Sequence, residues 1–371
     1  MSRKRIFWLT AGYFLDVDLP VVPALMSDFD IDWVLLTTER NFEDDARYVK
    51  SQTQRPIKMI CDQGRFFSPS HYKVMKNLIL DLVKKDYDLY YFDISDLLFI
   101  FPLIKKNLPI EKVVIATHNV VVPKGARYAL LARLSMKYIL RHFRNFQTFS
   151  LGQLEALKVV NPNANVLYAP LMLKDYGGKD LLPAKIREDE PIKFLFFGNI
   201  VRYKRLDVLL KAVEILASRG IRNFKVYICG YCPEKEWTGI YRPLISDDSL
   251  FHLDIRRIPT DKVGEYFREC QYFLMPYQDI AQSGAMTVAL NYSMPIIASN
   301  LPTFHEFLTG DGDAYFFKAA DAEALADCMQ QAIGNSEEQY LEMRSAVAAI
   351  VEKKLSKDVI LGKYKEYLDA L

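Results

Sequence analysis

The stretch Ile192-Lys-Phe-Leu-Phe-Phe-Gly198 decides how this sequence folds. Six mostly apolar residues run into a glycine, which is typical of a buried β-strand that ends in a tight turn. The chain continues through a loop with Arg202 and Lys204 into a helical pattern that reaches Val213. Strand, loop and helix in this order form the repeating unit of parallel α/β sheets.

Short apolar runs alternate with amphipathic helical patterns on both sides of this stretch, and the series occurs twice. Near-continuous apolar strands between helices indicate parallel sheets that are covered on both faces. We therefore predict an α/β protein of two Rossmann-like, doubly wound domains. The predicted strands are Ile6–Thr10, Trp33–Thr37, Ile57–Cys61, Leu89–Phe92, Val113–Thr117, Thr148–Ser150, Val166–Ala169, Ile192–Phe197, Lys225–Cys229, Tyr272–Met275, Ile296–Ala298 and Ala314–Phe317.

The segment 174–190 separates the two series, because it is polar, contains Gly177, Gly178 and Pro183, and has no strand pattern. We predict an N-terminal domain at 1–173, this linker, a C-terminal domain at 191–350, and a final helix at 351–371 that packs back on the first domain. Two such domains face a cleft, and ligands of doubly wound sheets bind beyond the carboxyl ends of the strands.

Composition narrows the class of protein. The chain has 371 residues, half of them apolar and a quarter charged, as in soluble two-domain proteins. A net charge of +2 argues against nucleic acid as a partner. The N-terminal apolar run is too short for a signal peptide, and no stretch has the length and apolarity of a spanning helix. The five cysteines are scattered, which favours reduced thiols. We expect a cytoplasmic protein.

Two loops are suited to phosphate. Gly198 lets the backbone approach a ligand, and the cations of Arg202 and Lys204 follow it. Ser283 and Gly284 begin a helix after the strand Tyr272–Met275, where free amides and the helix dipole favour an anion. Each loop alone equally fits an ordinary strand–turn–helix, with solvated bases or with Ser283 as a simple cap. Together, at the carboxyl ends of strands in one sheet, they predict a bound diphosphate.

The residues of these loops resemble glycosyltransferase family 4. The run Phe196–Leu210 is similar to the donor-domain signature of that family. The resemblance spans 192–306 in the family order, and its other parts are Arg257–Pro259, a predicted helix at Asp261–Cys270, Pro276-Tyr277, Gln282–Gly284, Met294–Ser299 and Pro302–Glu306. It implies a GT-B fold with an N-terminal acceptor domain and a C-terminal nucleotide-sugar domain, and transfer with retention of anomeric configuration.

The resemblance also assigns roles. Lys204 is expected to meet the donor diphosphate as a catalytic cation with Arg202 beside it, while Gly198 lets the backbone come close. Gln282, Ser283 and Gly284 are expected at the phosphates and sugar. Arg257 and Ile258 are expected to lie beside the nucleotide base, which the family recognises mainly through main-chain groups.

The sequence departs from the family at two carboxylates. Many members carry two glutamates eight positions apart around the second loop, one facing the sugar and one the ribose. Ile280 and Val288 occupy those positions here. Asp279 and Glu306 are candidate substitutes, although an acidic residue near a helix start is more often a cap.

The chemistry expected of this site needs no cofactor. Departure of the nucleotide places negative charge on its β-phosphate, which fixed cations and amides stabilise. In the family the departing phosphate is thought to help deprotonate the attacking hydroxyl from the same face. No Asp-x-Asp motif indicates a bound metal, so we predict a metal-independent enzyme.

The N-terminal half carries weaker signals. Gly12 follows the first strand, where GT-B members often place a glycine loop on the acceptor side; an ordinary turn fits as well. His118 follows the strand Val113–Thr117, at the position where family members often hold a histidine of the catalytic cleft. A single histidine is also commonly structural, and the sequence leaves both interpretations open.

One segment of the N-terminal half is basic. No acidic residue occurs from Lys112 to Leu154, and Ala126–Phe143 has the pattern of an aromatic, basic amphipathic helix. Such a helix can lie on an anionic membrane surface, but a half-buried helix with solvated cations is the alternative. The basic residues are Lys112, Lys124, Arg127, Arg133, Lys137, Arg141 and Arg144.

These expectations combine into one function. We expect a hexosyltransferase that moves sugar from a nucleotide-sugar donor to a glycan or lipid-linked acceptor in polysaccharide or glycoconjugate biosynthesis, at the inner face of the membrane. The missing glutamates leave an alternative, a noncatalytic GT-B subunit or scaffold that binds nucleotide sugar.

Overall fold

The chain forms two compact units in the computed structural model, which describes residues 3–62, 68–95, 99–122, 128–178, 186, 190–280 and 282–371. The first unit comprises Met1–Met172 and Lys357–Leu371, and the second comprises Leu173–Ser356. Most of the predicted linker, residues 179–185 and 187–189, lies outside the described residues.

A parallel sheet of seven strands forms the centre of the first unit. Its order is β3-β2-β1-β4-β5-β6-β7, so the winding direction reverses between β1 and β4. The strands are β1 (Arg5–Ala11), β2 (Asp30–Thr38), β3 (Lys58–Asp62), β4 (Leu89–Asp93), β5 (Val113–Thr117), β6 (Asn145–Thr148) and β7 (Asn165–Tyr168).

Helices cover both faces of this sheet because both faces are apolar. Along β1, Ile6 and Trp8 join one buried cluster while Phe7 and Leu9 join another, as the two-residue period of a strand requires. The helices are α1 (Leu15–Asp18), α2 (Val22–Leu25), α3 (Phe42–Gln52), α4 (Pro69–Val83), α5 (Ile100–Asn107), α6 (Ala129–His142) and α7 (Leu151–Val160).

The second unit is built around a parallel sheet of six strands in the order β10-β9-β8-β11-β12-β13. Its strands are β8 (Ile192–Phe197), β9 (Phe224–Cys229), β10 (Phe251–Asp254), β11 (Tyr272–Met275), β12 (Ile296–Ser299) and β13 (Ala314–Phe317). Its helices are α8 (Leu206–Ser218), α9 (Glu234–Glu236), α10 (Thr260–Glu269), α11 (Gly284–Asn291), α12 (Pro302–His305), α13 (Ala322–Ile333) and α14 (Glu337–Ile350).

The last helix, α15 (Lys357–Ala370), belongs to the first unit. It places Ile360, Tyr364 and Leu368 in the same buried cluster as Trp8. The Tyr364 hydroxyl accepts a hydrogen bond from Gln147 Nε2 at 2.5 Å. This hydrogen bond joins residues far apart in the sequence and holds α15 against β6.

Two strand predictions were wrong. The edge strand β10 was missed, because His252 and Asp254 interrupt its short apolar pattern. The prediction Thr148–Ser150 lies too far along the chain, since β6 is Asn145–Thr148. Its polar residues are buried, and tertiary partners bind two of them: Asn145 Nδ2 donates to the carbonyl of Glu111 at 2.8 Å, and Gln147 Nε2 donates to the Tyr364 hydroxyl.

None of the helices within the described ranges combines the length and the apolar character that a membrane crossing demands.

Candidate functional site

The two predicted phosphate loops follow adjacent strands. In the second unit β8 and β11 pair at the centre of the sheet, where the strand order reverses. Connections from such strands leave toward opposite faces and open a crevice at the carboxyl edge. The loop after β8 holds Gly198 and Lys204, and the loop after β11 holds Tyr277 to Gly284.

Two glycines bring the backbone of the first loop into close contact with the turn after β9. Gly198 has a φ of 101° and its amide donates to the carbonyl of Cys229 at 2.9 Å. Gly230 has a φ of 149°, and a Cβ there would lie 2.0 Å from the Gly198 carbonyl oxygen. Both positions therefore require glycine. The sequence analysis found Gly198 and missed Gly230.

Lys204 is held beside Gly198. It ends the helical turn Arg202–Lys204, is only 7% exposed, and its Nζ donates to the carbonyl of Phe197 at 3.3 Å. A Cβ on Gly198 would lie 3.0 Å from that Nζ, so the missing side chain leaves room for the ammonium.

Burial lowers the pKa of Lys204 to about 8, and no carboxylate in the described part of the chain offsets this effect. A buried cation of this kind is costly unless an anion pairs with it. The surroundings of Lys204 are thus suited to an anionic ligand.

The second loop packs against the first through aromatic side chains. The Lys204 Nζ lies 5.4 Å from the centre of the Tyr277 ring. The ring of Tyr203 meets that of Tyr277 edge-on at 6.1 Å, and the Gln278 amide donates to the Tyr203 carbonyl at 2.8 Å. These contacts fix the turn that carries Lys204 against the loop after β11.

The start of α11 supplies the other half of the site. Ser283 caps the helix, since its hydroxyl oxygen accepts from the Met286 amide at 3.2 Å. Its side chain also interacts with that of Tyr277. A Cβ on Gly284 would lie 3.5 Å from the Nζ of Lys174. A second ammonium is therefore close to the helix start.

Lys174 is a residue that sequence reasoning assigned only to the linker. Nothing in its local pattern connects it with Gly284. The segment that carries it is held in the second unit by the Gly177 carbonyl, which accepts hydrogen bonds from Arg268 Nη1 at 2.8 Å and from the Tyr292 hydroxyl at 2.7 Å.

Other predicted donor residues follow strands of the same sheet at its carboxyl edge. Arg202, Arg257 and Asp279 are exposed, while Ile258 is half-buried against the core. Gln282 is half-buried directly before the Ser283 cap. Gly198 meets Lys204 directly, and the ring of Tyr277 links Lys204 to the loop that holds Ser283 and Gly284.

The two positions at which the resemblance leads one to expect glutamates make structural contacts. The carbonyl of Ile280 accepts a hydrogen bond from the Thr303 hydroxyl at 2.8 Å, and the side chain of Val288 is buried in the core. Glu306 is half-buried at the end of α12, and its carbonyl accepts from Lys354 Nζ at 3.4 Å.

In the first unit, His118 is fixed on three sides. Its Nε2 is hydrogen-bonded to Asp93 Oδ1 at 2.8 Å, and its ring stacks on Phe14 at 3.6 Å and on Phe149 at 4.3 Å. Gly12 starts the short turn that carries Phe14. The turn at Gly12 and His118 therefore meet through one aromatic ring, at the carboxyl ends of β1 and β5.

A second buried carboxyl, that of Asp18, interacts with Asp93 and was not identified in the sequence. Asp18 accepts hydrogen bonds from Trp8 Nε1 at 2.8 Å and from the Thr10 hydroxyl at 2.5 Å. Burial, with a smaller contribution from the charge of Asp93, raises the pKa of Asp18 well above its ordinary value.

The described part of the basic segment contains the exposed face of α6. The side chains of Leu130 and Leu134 are 69% and 47% exposed, and Arg133, Lys137 and Arg141 are exposed beside them. The opposite face is buried through Ile139 and Leu140. Lys124, Ala126 and Arg127 lie outside the described residues, and the helix ends at His142 rather than at Phe143.

Within the described ranges, no group of three or more His, Cys, Asp or Glu side chains is arranged to hold a metal ion. All five cysteines are free thiols.

Comparison with known families gives one match. The model of the family described as glycosyl transferases group 1 matches residues 191–335, which hold both loops of the second unit. A search of curated proteins finds no significant match.

Solved structures resemble the whole chain. A glycosyltransferase from Rickettsia africae has a TM-score of 0.76 at 14% identity and covers 100% of this chain and 99% of its own. HepE from Anabaena in complex with UDP has a TM-score of 0.73 at 11% identity, with 99% and 100% covered. A TarM mutant from S. aureus, in complex with fondaparinux, α-GlcNAc-glycerol and UDP, has a TM-score of 0.69 at 11% identity, with 99% and 100% covered.

These likenesses and the two parallel sheets confirm the predicted fold class, a GT-B fold of two Rossmann-like domains. Together with the family match, they support a glycosyltransferase.

Proposed function

We propose that this protein is a retaining glycosyltransferase of family 4. It transfers a hexosyl group from a nucleotide-sugar donor to a glycan or lipid-linked acceptor in polysaccharide or glycoconjugate biosynthesis. The observation that carries the proposal is the buried ammonium of Lys204, which lies beside Gly198 and is tied through Tyr277 to the start of α11.

The donor diphosphate fits the chemistry of this group. Its oxygens would pair with the Lys204 ammonium and with amides of the Ser283–Gly284 start of α11, and Lys174 would add a second cation. Both lysines sit on structured segments, so little reorganisation is needed when charge develops.

The proposed reaction breaks the bond between the sugar C1 and the β-phosphate oxygen, and forms a bond from C1 to the acceptor oxygen on the same face. The bonding electrons leave with the β-phosphate, whose growing negative charge Lys204 stabilises. The departing phosphate oxygen takes the proton of the acceptor hydroxyl. No enzyme carboxylate acts as a nucleophile, in keeping with Ile280 and Val288 at the family's glutamate positions.

The charge-neutralising groups in this proposal are side chains, so the reaction needs neither a metal ion nor a cofactor. HepE and TarM, whose structures contain UDP, have the same fold and motivate uridine nucleotides as the first donors to test. His118 and Gly12 are proposed to act on the acceptor side in the first unit, with Asp93 holding the imidazole.

Nucleotide binding in the presence of EDTA tests the donor site. At a ligand concentration about 100 times the dissociation constant, UDP or GDP should stabilise the protein by roughly 2.7 kcal/mol. Lys204→Ala should abolish most of this thermal shift, whereas Lys211→Ala, an exposed lysine on α8, should not change it. A shift that appears only with a divalent metal ion would refute the metal-free site.

Turnover separates the enzyme from the alternative of a noncatalytic scaffold. An enzyme should hydrolyse its donor slowly without acceptor, and Lys204→Ala should reduce this rate by at least about 100-fold, since it removes a transition-state contact. Tight donor binding without transfer or hydrolysis, across acceptor lipids and glycans, would favour the scaffold.

The acceptor is proposed to be presented at a membrane. The exposed leucines and cations of α6 form the kind of surface that binds at the level of anionic headgroups. A lipid-linked acceptor carries its diphosphate at that same level. One surface of the first unit would then recruit both the membrane and the substrate.

A further inference from the structure

Tyr277 connects the two loops of the donor site. Its side chain is 1% exposed, between the end of β11 and the start of α11. The ring lies below the Lys204 ammonium, the hydroxyl interacts with the side chain of Ser283, and the carbonyl accepts from the hydroxyl of Ser299. One residue therefore touches both phosphate-suited loops.

The ring affects the charge of Lys204. An ammonium within about 6 Å of an aromatic centre is attracted to the negative face of the ring, and more strongly where water is excluded. The Nζ of Lys204 lies 5.4 Å from the centre of the Tyr277 ring in a buried setting. Burial disfavours the charged ammonium, and the ring offsets part of this effect.

The surroundings leave the ring little freedom. Tyr203 packs edge-on against Tyr277 at 6.1 Å, and the ring of Phe304 is 6.1 Å away on another side. Because the Tyr277 ring is held in this way, it keeps the Lys204 ammonium in one position. The Tyr277 hydroxyl positions the Ser283 cap relative to that ammonium.

We propose that Tyr277 is a positioning residue, which holds the Lys204 ammonium and the Ser283 cap in one arrangement. Its ring acts on the lysine and its hydroxyl acts on the helix start. That this arrangement receives the donor diphosphate rests on the proposed function. The action of the ring on Lys204 does not.

The pKa of Lys204 tests the ring directly. It can be followed by NMR of isotope-labelled lysine, with the signal assigned from Lys204→Arg. Tyr277→Phe keeps the ring, so the pKa should remain near that of the wild type, about 8. Tyr277→Leu keeps the site apolar but removes the ring attraction, and the pKa should fall by about one pH unit.

The direction of this change is diagnostic. If Tyr277 only fills space, its replacement by leucine would loosen the site and admit water, and the pKa of Lys204 would rise toward its ordinary value. An unchanged or raised pKa overturns the proposal. Phenylalanines with one, two and three ring fluorines at position 277 provide a second series. They weaken the ring face at nearly constant shape, so the pKa should fall stepwise even if Tyr277→Leu does not fold.

Binding of UDP then tests the link to the donor. At pH 7.5 Tyr277→Leu should weaken binding about tenfold in the wild-type background and much less in Lys204→Ala, because the two changes remove the same contact. Equal weakening in both backgrounds overturns the positioning role. If the wild type binds no nucleotide, the proposed function fails, and the NMR titration still decides whether Tyr277 controls Lys204.

Discussion

At the scale of single residues, the buried ammonium of Lys204 is suited to binding an anion but lowers the stability of the folded protein. Its ammonium is buried without an acidic partner among the described residues, and burial lowers its pKa from the ordinary value of 10.5 to about 8. The unfolded chain keeps the lysine proton up to about pH 10.5, whereas the folded protein releases it above about pH 8. Below pH 8 the folded state therefore carries the full cost of the buried charge, and the cost declines as the pH rises to 10.5.

Replacing Lys204 by an uncharged side chain of similar length should stabilise the protein. We expect Lys204→Met to raise the free energy of unfolding by about 2–4 kcal/mol at pH 7, from the size of the pKa change. The difference should shrink between pH 8 and 10.5. Urea denaturation at several pH values measures it, with Lys211→Met on the exposed side of α8 as the control. A variant less stable than wild type at pH 7 would show that the ammonium is not a cost to the fold.

At the scale of secondary structure, the contact between the turns after β8 and β9 limits which residues the donor loop can hold. The backbone at Gly230 lies against the backbone at Gly198, which has a φ of 101° and whose missing Cβ leaves room for the Lys204 ammonium. Gly230 serves the close approach of two main chains, whereas a side chain at Gly198 would meet the Lys204 ammonium.

Two glycine substitutions should therefore have opposite effects. In Gly230→Ala the new Cβ would lie 2.0 Å from the Gly198 carbonyl oxygen at an unfavourable φ, and we expect a loss of about 3 kcal/mol or more. Gly362 is exposed on α15 with nothing near its Cβ position, so Gly362→Ala should gain about 0.5–1 kcal/mol. Denaturant unfolding of both variants checks the pair. Equal small effects would contradict the close approach.

At the scale of the whole molecule, the two units carry different parts of the proposed function. The match to the glycosyltransferase family model lies in the second unit, together with the buried lysine and the capped helix. The first unit holds the His118–Asp93 pair and the exposed cations of α6. Donor binding and membrane binding should therefore respond to different substitutions.

Vesicle binding tests this division. The wild type should bind anionic vesicles in a salt-sensitive manner and neutral ones weakly, because screening weakens attraction between exposed charges. Arg133, Lys137 and Arg141 changed together to Glu should abolish this binding and leave UDP affinity unchanged. The same charge change at Lys73 and Lys76 on α4 and at Lys84 directly after it is the matched control and should leave binding at half the wild-type level or more. If the two triple variants behave alike, α6 is an ordinary solvated face.

Local patterns in the sequence determined the elements of this protein. The apolar runs that form β5, β8, β11 and β13 have the predicted bounds. A strand that is buried on both faces is a short, nearly continuous apolar run, so it can be recognised from a few neighbouring residues. Gly198 and Ser283 were identified in the same way, since a turn after a strand and a cap before a helix have local signatures.

Only the tertiary structure decided how these elements work together. The position of Tyr277 below Lys204, the approach of Lys174 to Gly284 and the contact of Gly230 with Gly198 join residues from separate segments. A lysine in a polar loop has the pattern of a solvated charge, whereas Lys204 is buried and meets the ring of Tyr277 from the loop after another strand. The physical reason is that burial and distance follow from the order of strands in the sheet, which no local pattern encodes.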